Sequence, residues 1–274
     1  MAKKKFTNFN EDILKTIVMK IEYDGTDYFG FQKQAGREHE WPSVQGKIER
    51  ALRSILGFDV STKGSGRTDR GVHALSQIIS FGLKKEHEIK IPPEGLKQLL
   101  NTKLAGDIIV RNVKVVDGDF HARGCAVSKT YVYIVNYGVA SVFMNRYSWH
   151  FKRHIDMDRI HSMMKNLKGR LFAAPFCDGE INFDGTETYY RDVNFFRAYD
   201  IKSKKIIVFL IEGEGFLHKM VRRLVGFLMD YASGRFDEQH ALKIIKDYSM
   251  RSTYVVAPPN GLFLYKVKYE NVSM

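Results

Sequence analysis

The stretch GSGRTDRGVHA, residues 64–74, leads into the apolar segment Gln77–Phe81 and says more about the fold than any other part of the sequence. Two glycines ahead of Asp69 and one behind it allow positive φ and a close approach to another chain. A carboxylate flanked by two guanidiniums, with a hydroxyl and an imidazole nearby, is typical of loops that carry functional sites. The pattern predicts a strand entered from a functional loop centred on Asp69. The residues alone leave a second interpretation open, in which Asp69 caps a turn and Arg67 and Arg70 are solvated surface charges.

Strand and helix patterns alternate on both sides of this loop. Alternating apolar residues predict a strand over Thr16–Tyr23, and Pro42-Ser43 predicts the start of a helix. A second helix is expected to begin near Pro92-Pro93 and to stop at Gly106, before a strand over Ile108–Val116. The apolar residues expected to face the core are Val44, Ile48, Ala51, Leu52 and Ile55 in the first helix, and Leu96, Leu99, Leu100 and Leu104 in the second.

The second half of the chain repeats this order of elements. The predicted elements are strands over Thr130–Asn136 and Leu262–Tyr269, a hairpin of Arg191–Asp200 and Lys205–Gly213, and helices over Asp156–Lys168, Met220–Tyr231 and about Asp237–Tyr248. The excess of strands and the hairpin predict an α+β fold with mixed, mostly antiparallel sheets and helices packed on them. Each half resembles a split βαβ unit. We expect a loose tail at 1–15, an N-terminal half at 16–116 carrying the Asp69 loop, and a C-terminal half at 117–274.

The composition is that of a folded, basic protein. Of the 274 residues, 44% are hydrophobic, and 43 Lys and Arg against 31 Asp and Glu give a net charge of +12. Such an excess favours a polyanionic partner, because counterion release drives binding to phosphate backbones. A role in solubility alone is the alternative. Charge does not separate RNA from DNA or from an anionic membrane.

Other features of the sequence restrict the compartment. No apolar run approaches the roughly 18–20 residues of a membrane span, and the basic start of the chain fits neither a secretory signal nor a transit peptide. Cys125 and Cys177 form no C-x-x-C pair, which argues against a disulfide scaffold and a cysteine-based zinc site. We expect a soluble, cytoplasmic protein with no membrane or metal partner.

Residues 66–74 read as G-R-T-D-x-G-V-H-A, the signature of the TruA family of tRNA pseudouridine synthases, without a break. The chain resembles this family over nearly its whole length. Further segments that resemble family motifs follow in family order; they are Glu22–Gln32, Ser43–Glu49, Phe120–Tyr133, Gly215–Arg222 and Ala257–Leu262. Six motifs in one order make the resemblance specific.

The resemblance implies a fold and an activity. The expected fold has two related α/β-sandwich halves of the ferredoxin/RRM-like type, with sheets joined across a central basic cleft. The expected protein is a homodimer that isomerises uridine to pseudouridine in tRNA without cofactor or metal. Positions 38–40 of the anticodon stem-loop are the usual targets of the family.

The resemblance also implies roles for four residues. Asp69 matches the family's nucleophile, Arg67 the arginine that helps displace the target base, and Tyr131 the tyrosine that stacks on that base. Arg222 matches the arginine that pairs with the catalytic carboxylate. Plainer interpretations exist, since Tyr131 also fits a packing tyrosine of a strand and Arg222 a surface arginine with a buried stem.

These residue types suit the reaction. Eversion of a base costs a few kcal/mol, and stacking on an aromatic ring returns roughly 1–3 kcal/mol. A guanidinium within about 4–6 Å favours the ionised form of a carboxylate in a dry pocket. Whether Asp69 adds to C6 of uracil or attacks C1′ of the ribose stays open, because both begin with the same carboxylate.

Other polar residues receive structural or weaker assignments. We interpret His73 and His121 as structural hydrogen-bonding residues rather than general bases, and we assign Arg70 a phosphate contact at most. Two basic clusters either contact the tRNA backbone or are solvated faces; they are Lys202, Lys204 and Lys205, and Lys219, Arg222 and Arg223.

One segment departs from the family pattern. Members usually read H-D-F-S-x-F-C after the helix that corresponds to 156–168, whereas this chain reads RLFAAPFC at 170–177. The loss of Asp and Ser leaves the tRNA contacts of that segment open.

Rival functions are the same chemistry on another RNA or position, a non-catalytic tRNA-binding protein, and a DNA-binding module. The intact 66–74 motif argues against the second, because binding alone does not need Asp69, and no helix-turn-helix or finger pattern supports the third.

Overall fold

The computed structural model describes residues 13–34, 36, 41–84, 87, 89–104, 106–180, 187–270 and 272. The chain divides into two compact units. The first runs to Val127 and takes up the chain again from Leu264, and the second is Ser128–Phe263. Each unit combines a mostly antiparallel sheet with helices, which confirms the predicted α+β class.

The first unit is built around a long central strand. Its elements are β1 (Ile13–Tyr23), α1 (Val44–Leu56), β2 (Lys63–Gly64), β3 (His73–Lys84), α2 (Pro93–Leu104), β4 (Ile108–Asp117) and the part of β10 (Leu262–Lys268) from Leu264. β1 pairs antiparallel with both β3 and β4, β2 pairs with β3, and β10 follows on the far side of β3. The register places Met19 opposite Ile79, and both are fully buried.

The segment after β4 belongs to the first unit. Thr16 Oγ1 donates to the backbone oxygen of Gly118 at 2.7 Å, and the amide of Ala122 donates to Ser80 Oγ at 3.0 Å. Tyr269 in turn donates its hydroxyl proton to the backbone oxygen of Ala122 at 2.7 Å. These contacts join 118–122 and the C-terminal residues to the sheet, so the units differ in their limits from the division after residue 116 expected from sequence. The expected tail, 1–15, lies outside the described residues except for 13–15, which begin β1.

The helices of the first unit largely follow their apolar patterns. Ser43 caps α1 by accepting a hydrogen bond from the Gly46 amide at 3.2 Å. In α2, three leucines spaced by four residues are buried, namely Leu96, Leu100 and Leu104. The prediction that Leu99 faces inward is wrong, because this side chain is 44% exposed. Consecutive helical residues are about 100° apart, and the single stripe of every fourth residue already provides the buried face of α2.

The second unit contains the predicted hairpin. Its elements are β5 (Ser128–Asn136), α3 (Val142–Tyr147), β6 (Trp149–His150), α4 (Met157–Met164), β7 (Gly169–Phe172), β8 (Tyr190–Ile201), β9 (Ile206–Gly213), α5 (Met220–Ala232) and α6 (Glu238–Lys246). The strand order is β5-β9-β8-β7, with antiparallel neighbours, and β6 pairs in parallel with β5. The predicted helix over 156–168 ends as α4 at Met164 and continues as a 3-10 turn over Lys165–Leu167.

Helix α5 is the most deeply buried helix of the second unit, with every residue from Leu224 to Ala232 in the core. Gly226 permits this position, because a Cβ there would lie 1.8 Å from the backbone oxygen of Val255. Within the described ranges, no helix has the length and apolarity needed to cross a membrane.

Candidate active site

The loop between β2 and β3 has buried and exposed positions close together. Thr68 and Val72 are buried, Asp69 is half-buried, and Arg67 and Arg70 are exposed. The amide of Val72 donates to the backbone oxygen of Asp69 at 3.2 Å, which closes a turn. Gly71 has φ +75°, the left-handed conformation that favours glycine. The fold thus brings Arg67 and Asp69 together in one tight loop with the carboxylate between two guanidinium-bearing residues.

The end of β1 and the turn after it hold this loop in place. The Tyr23 hydroxyl lies 2.8 Å from Thr68 Oγ1. The Phe31 amide donates to the backbone oxygen of Thr68 at 3.1 Å, and the Gly71 amide donates to that of Tyr28 at 3.3 Å. Thr68, directly before Asp69, and Gly71, two residues after it, are therefore both hydrogen-bonded to residues of 23–31.

A buried glutamine fixes the N-terminal side of the loop. Gln77 is fully buried, and its Nε2 donates to the backbone oxygen of Gly66 at 2.8 Å. Its Oε1 accepts from Ser65 Oγ at 2.5 Å and from the Gly66 amide at 3.3 Å. Because Arg67 follows Gly66 directly, these bonds also position the backbone of Arg67. Sequence reasoning missed Gln77, although a glutamine on an apolar strand just after the loop was a signal for such a role.

His73 connects the loop to the turn after β1. The Gly25 amide donates to His73 Nδ1 at 3.0 Å, and Asp24 Oδ1 lies 3.1 Å from the same nitrogen. Gly25 is required here, because a Cβ at this position would lie 2.0 Å from the backbone oxygen of Val72. His73 thus makes the structural hydrogen bond expected from sequence.

His121 is also used structurally. Its Nδ1 accepts hydrogen bonds from the amides of Arg123 and Gly124 at 3.1 and 3.2 Å. Burial lowers the pKa of the His121 imidazole below its usual range, because desolvation disfavours the charged form.

Tyr131 lies in the second unit, on β5 opposite Ile211 of β9. Its side chain is only 7% exposed, and its ring stands perpendicular to the ring of Phe216, with centroids 5.2 Å apart. Just before Tyr131 in β5, Ser128 and Thr130 donate to the buried carboxylate of Glu212 at 3.1 and 3.0 Å. The strand therefore holds the ring in a defined position, and Phe216 belongs to the segment Gly215–Arg222 that resembles a family motif.

Arg222 lies in the first turn of α5 and is partly buried. Its Nε donates to the backbone oxygen of Ala257 at 2.8 Å, and the Ala257 amide donates to the backbone oxygen of Arg222 at 3.2 Å. An arginine on an apolar helix needs hydrogen-bond partners where it is partly buried, and Ala257 of the Ala257–Leu262 motif provides one. This reciprocal pair of bonds orients the guanidinium relative to the Ala257 backbone.

The divergent segment 170–177 is mostly a packing segment. Ala173 and Ala174 are fully buried, and Phe176 packs its ring against Phe227 of α5 with centroids 5.5 Å apart. The small apolar residues thus fill the core beside α5.

Asp178, the next residue, forms ion pairs with two members of the expected basic cluster at the start of α5. Its carboxylate accepts hydrogen bonds from Lys219 Nζ and Arg223 Nε, each at 2.5 Å. Burial disfavours ionisation of this carboxyl, but the bonds from the two cations outweigh it and lower its pKa. Lys219 and Arg223 are therefore ion-paired within the protein. Lys202, Lys204 and Lys205 are exposed at the β8–β9 turn.

A half-buried carboxylate on a glycine-rich loop, flanked by exposed arginines in a chain of net charge +12, suits an enzyme that acts on a nucleic-acid strand. Comparison with known proteins makes this class specific. A family model described as tRNA pseudouridine synthase matches residues 19–123 and 163–270. The chain belongs to the tRNA pseudouridine synthase family, whose enzymes isomerise uridine to pseudouridine.

Curated relatives agree over almost the full chain. The tRNA pseudouridine synthase A of Caldicellulosiruptor saccharolyticus is 35% identical over 257 residues, which cover 93% of this chain and 100% of that protein. That of Malacoplasma penetrans is 33% identical over 254 residues, with the same coverage. These relatives confirm the predicted family and the predicted RNA-uridine isomerase activity.

Solved structures show a more distant similarity. A chain in the structure of an H/ACA RNP bound to a substrate RNA containing 2'-deoxyuridine is 14% identical, with a TM-score of 0.33. The match covers 85% of this chain and 52% of that one. The family assignment therefore rests on the family model and the sequence relatives.

Proposed function

We propose that this chain isomerises uridines at positions 38–40 of the tRNA anticodon stem-loop, with Asp69 as the nucleophile. In the reaction, the N1–C1′ glycosidic bond breaks and a C5–C1′ bond forms. The proton lost from C5 is balanced by one gained at N1, so no atom is added or removed. The isomerisation needs an everted base, a carboxylate that reaches it, and charges that bind the strand.

The position of Asp69 carries this proposal. Thr68 before it is bonded to Tyr23 and Phe31, and Gly71 after it is bonded to Tyr28, while the Asp69 side chain is half-buried. A catalytic carboxylate needs such a fixed backbone, because misplacement by about 1 Å can reduce a rate about a hundredfold. A carboxylate that only capped a turn would not need buried supports on both sides.

The remaining roles follow the family resemblance. Arg67, exposed on the same loop, is suited to occupy the space left by the everted base. Tyr131 is proposed to stack on the uracil ring, and Arg222 to be the charge partner of the catalytic carboxylate. The held ring of Tyr131 and the oriented guanidinium of Arg222 support these assignments.

The decisive experiment compares the wild type with Asp69→Asn. Purified proteins are incubated with an unmodified tRNA transcript that contains uridines at positions 38–40, and pseudouridine is mapped along the product. We expect product at these positions from the wild type, none from Asp69→Asn, and similar tRNA affinity for both. Unchanged product from Asp69→Asn would overturn the nucleophile assignment.

The same map separates the rival functions. Pseudouridine at other positions would retain the chemistry and replace the proposed target. A wild-type protein that binds tRNA but forms no pseudouridine in any RNA tested would favour a non-catalytic binding protein. The Arg53→Ala variant is the control for the loss of a charged side chain, since Arg53 is exposed on α1 and pairs with Asp59 at 3.4 Å.

We also propose that the protein acts as a homodimer in the cytoplasm, where its tRNA substrate is found, and without a metal or other cofactor. Light scattering of the purified chain would give twice the mass of 31.6 kDa if the dimer forms. A monomeric mass at the concentrations used in the activity assay would contradict the dimer.

A further inference from the structure

Three side chains at the C-terminal end of the Asp69 loop form a layered stack. The Arg70 guanidinium carbon lies 4.1 Å from the centroid of the Phe29 ring. The Phe29 ring stacks in turn on Trp41, with centroids 5.4 Å apart and planes 2° from parallel. We call Arg70, Phe29 and Trp41 the stacked tier. Arg70 is its exposed member, and the two rings are half-buried.

Backbone hydrogen bonds from three segments hold the tier together. The Gly71 amide donates to the Tyr28 oxygen at 3.3 Å and the Phe31 amide to the Thr68 oxygen at 3.1 Å, which places Phe29 beside Arg70. The Phe29 amide donates to the Pro42 oxygen at 2.8 Å, which places Trp41 on the other side. The stack is therefore determined by the same bonds that position Asp69.

Gly30 allows this close approach. Its φ is +104°, and a Cβ there would lie 2.7 Å from the backbone oxygen of Thr68. The Phe29–Phe31 segment can therefore lie directly against the backbone of 68–70. This contact ties the position of the Phe29 ring to the catalytic loop.

Stacking leaves the hydrogen-bonding edge of the guanidinium available. A guanidinium carries its donors in its own plane, so a ring against one face restrains it without using a donor. Among the described residues, no acidic side chain pairs with Arg70, in contrast to Arg53, Arg111 and Arg223. An exposed, restrained guanidinium matches the planar, bidentate recognition of a phosphate.

We propose that Arg70, restrained by Phe29 and Trp41, is a binding residue for a backbone phosphate next to the everted uridine. The inference rests on the proposed function of Asp69, because Arg70 follows Asp69 in the chain and a uridine that meets Asp69 brings its own phosphates within reach. Arg70 would then hold the strand while Asp69 reacts with the nucleoside. The ligand is the sugar–phosphate backbone of RNA, so the contact is independent of base sequence.

The test measures the salt dependence of tRNA binding. Each bound phosphate contributes about 0.7–0.9 to the slope of log K against log salt. Arg70→Ala should make this slope less steep by about one. Its loss of affinity relative to wild type should therefore be about fourfold smaller at 200 mM salt than at 50 mM salt. The probe is an unmodified tRNA transcript, and melting temperatures check that each variant is folded.

Matched variants separate this contact from other effects. Arg53→Ala removes the same charge from the same unit and should leave the slope unchanged. Phe29→Leu keeps the charge of Arg70 but removes the stacking face, so it should weaken binding several-fold while retaining most of the slope. An unchanged slope for Arg70→Ala, or an equal loss for Arg53→Ala, would overturn the proposal.

Activity measured in parallel keeps the two proposals distinguishable. Arg70→Ala should raise KM for the tRNA transcript and change kcat much less, whereas Asp69→Asn should abolish product at any tRNA concentration. If Asp69→Asn remains active, the proposed function fails whatever Arg70→Ala does. If Asp69→Asn is inactive and Arg70→Ala has a wild-type slope and KM, only the phosphate contact fails.

Discussion

The hydroxyl of Tyr23 and Oγ1 of Thr68 lie 2.8 Å apart in the core of the first unit, although 45 residues separate them in sequence. The bond joins the last residue of β1 to the residue before Asp69. Tyr23 is 3% and Thr68 7% exposed, so water does not readily replace either partner. The position of the proposed nucleophile is therefore linked directly to the central strand of the sheet.

Thr68→Val tests this link with a side chain of nearly the same shape. The valine leaves the buried Tyr23 hydroxyl without the threonine oxygen, and we expect a loss of about 1–3 kcal/mol in the free energy of unfolding. Single-turnover product formation should fall more than tRNA affinity, because the loop that carries Asp69 becomes less well defined. Urea unfolding and a single-turnover assay measure the two effects.

The double variant Tyr23→Phe/Thr68→Val is the control for this prediction. Removing both partners of a buried hydrogen bond is less costly than removing one, so the double variant should be more stable than the sum of the single changes predicts. Strict additivity of the two changes would mean that the 2.8 Å contact contributes no coupling energy.

The part of the candidate site that is formed by neighbouring residues in sequence could be predicted, and the part that depends on distant residues could not. The residues of 64–74 indicated a functional loop but also fitted a turn capped by Asp69, and it was the resemblance of 66–74 to the family signature that favoured the first interpretation. Gln77 was missed because on a strand pattern it reads as one more strand residue, and its role depends on Gly66 lying beside it. Asp178 was missed because its partners Lys219 and Arg223 follow 41 and 45 residues later.

The limits of the units were harder to predict for the same reason. The C-terminal strand follows the second unit in sequence, yet from Leu264 it belongs to the first. The bond from Tyr269 to Ala122 spans 147 residues. Periodicity gives the type of an element, whereas the sheet that accepts it depends on such long-range contacts.

Asp230→Ala should strongly destabilise the second unit. The Asp230 carboxylate is fully buried and accepts from Arg153 at 2.5 Å, Arg235 at 2.7 Å and the Val255 amide at 2.8 Å. Its removal leaves the amide and two guanidiniums without their acceptor, and we expect a loss of about 3 kcal/mol in the free energy of unfolding. Asp158→Ala, an exposed acid in the first turn of α4, should change it by less than about 0.5 kcal/mol. Equal unfolding midpoints for the two variants would contradict this prediction.

Asp178→Asn should remove a pH-dependent contribution to the stability of the folded protein. The pKa of the Asp178 carboxyl is below its ordinary value of 3.8 in the folded protein. A lowered folded pKa contributes stability that is present above 3.8 and is lost as the pH falls through the folded value. We expect wild type to exceed Asp178→Asn by about 1 kcal/mol at pH 7, with the difference shrinking below pH 3.8.

Thermal melts of both proteins between pH 3 and 7 measure this difference. Asp59→Asn is the matched control, because Asp59 pairs with Arg53 at the surface and its side chain is 78% exposed. The control should remain close to wild type throughout this range. A difference between wild type and Asp178→Asn that persists unchanged into acid would show that the ion pairs with Lys219 and Arg223 are not its cause.

Tyr131→Phe and Tyr131→Leu separate the ring from the hydroxyl in tRNA binding. Stacking on a base requires only the aromatic face, so Tyr131→Phe should bind an unmodified tRNA transcript nearly as well as wild type. Tyr131→Leu should lose about 1–3 kcal/mol of binding free energy. Since Tyr131 also packs against Phe216, melting temperatures are needed to show that the leucine variant is folded. Tyr265→Leu, at a tyrosine that is 47% exposed on β10, controls for the general loss of a tyrosine and should bind as wild type does. If Tyr131→Leu is folded and binds with wild-type affinity, the ring does not stack on the substrate and its buried position serves packing alone.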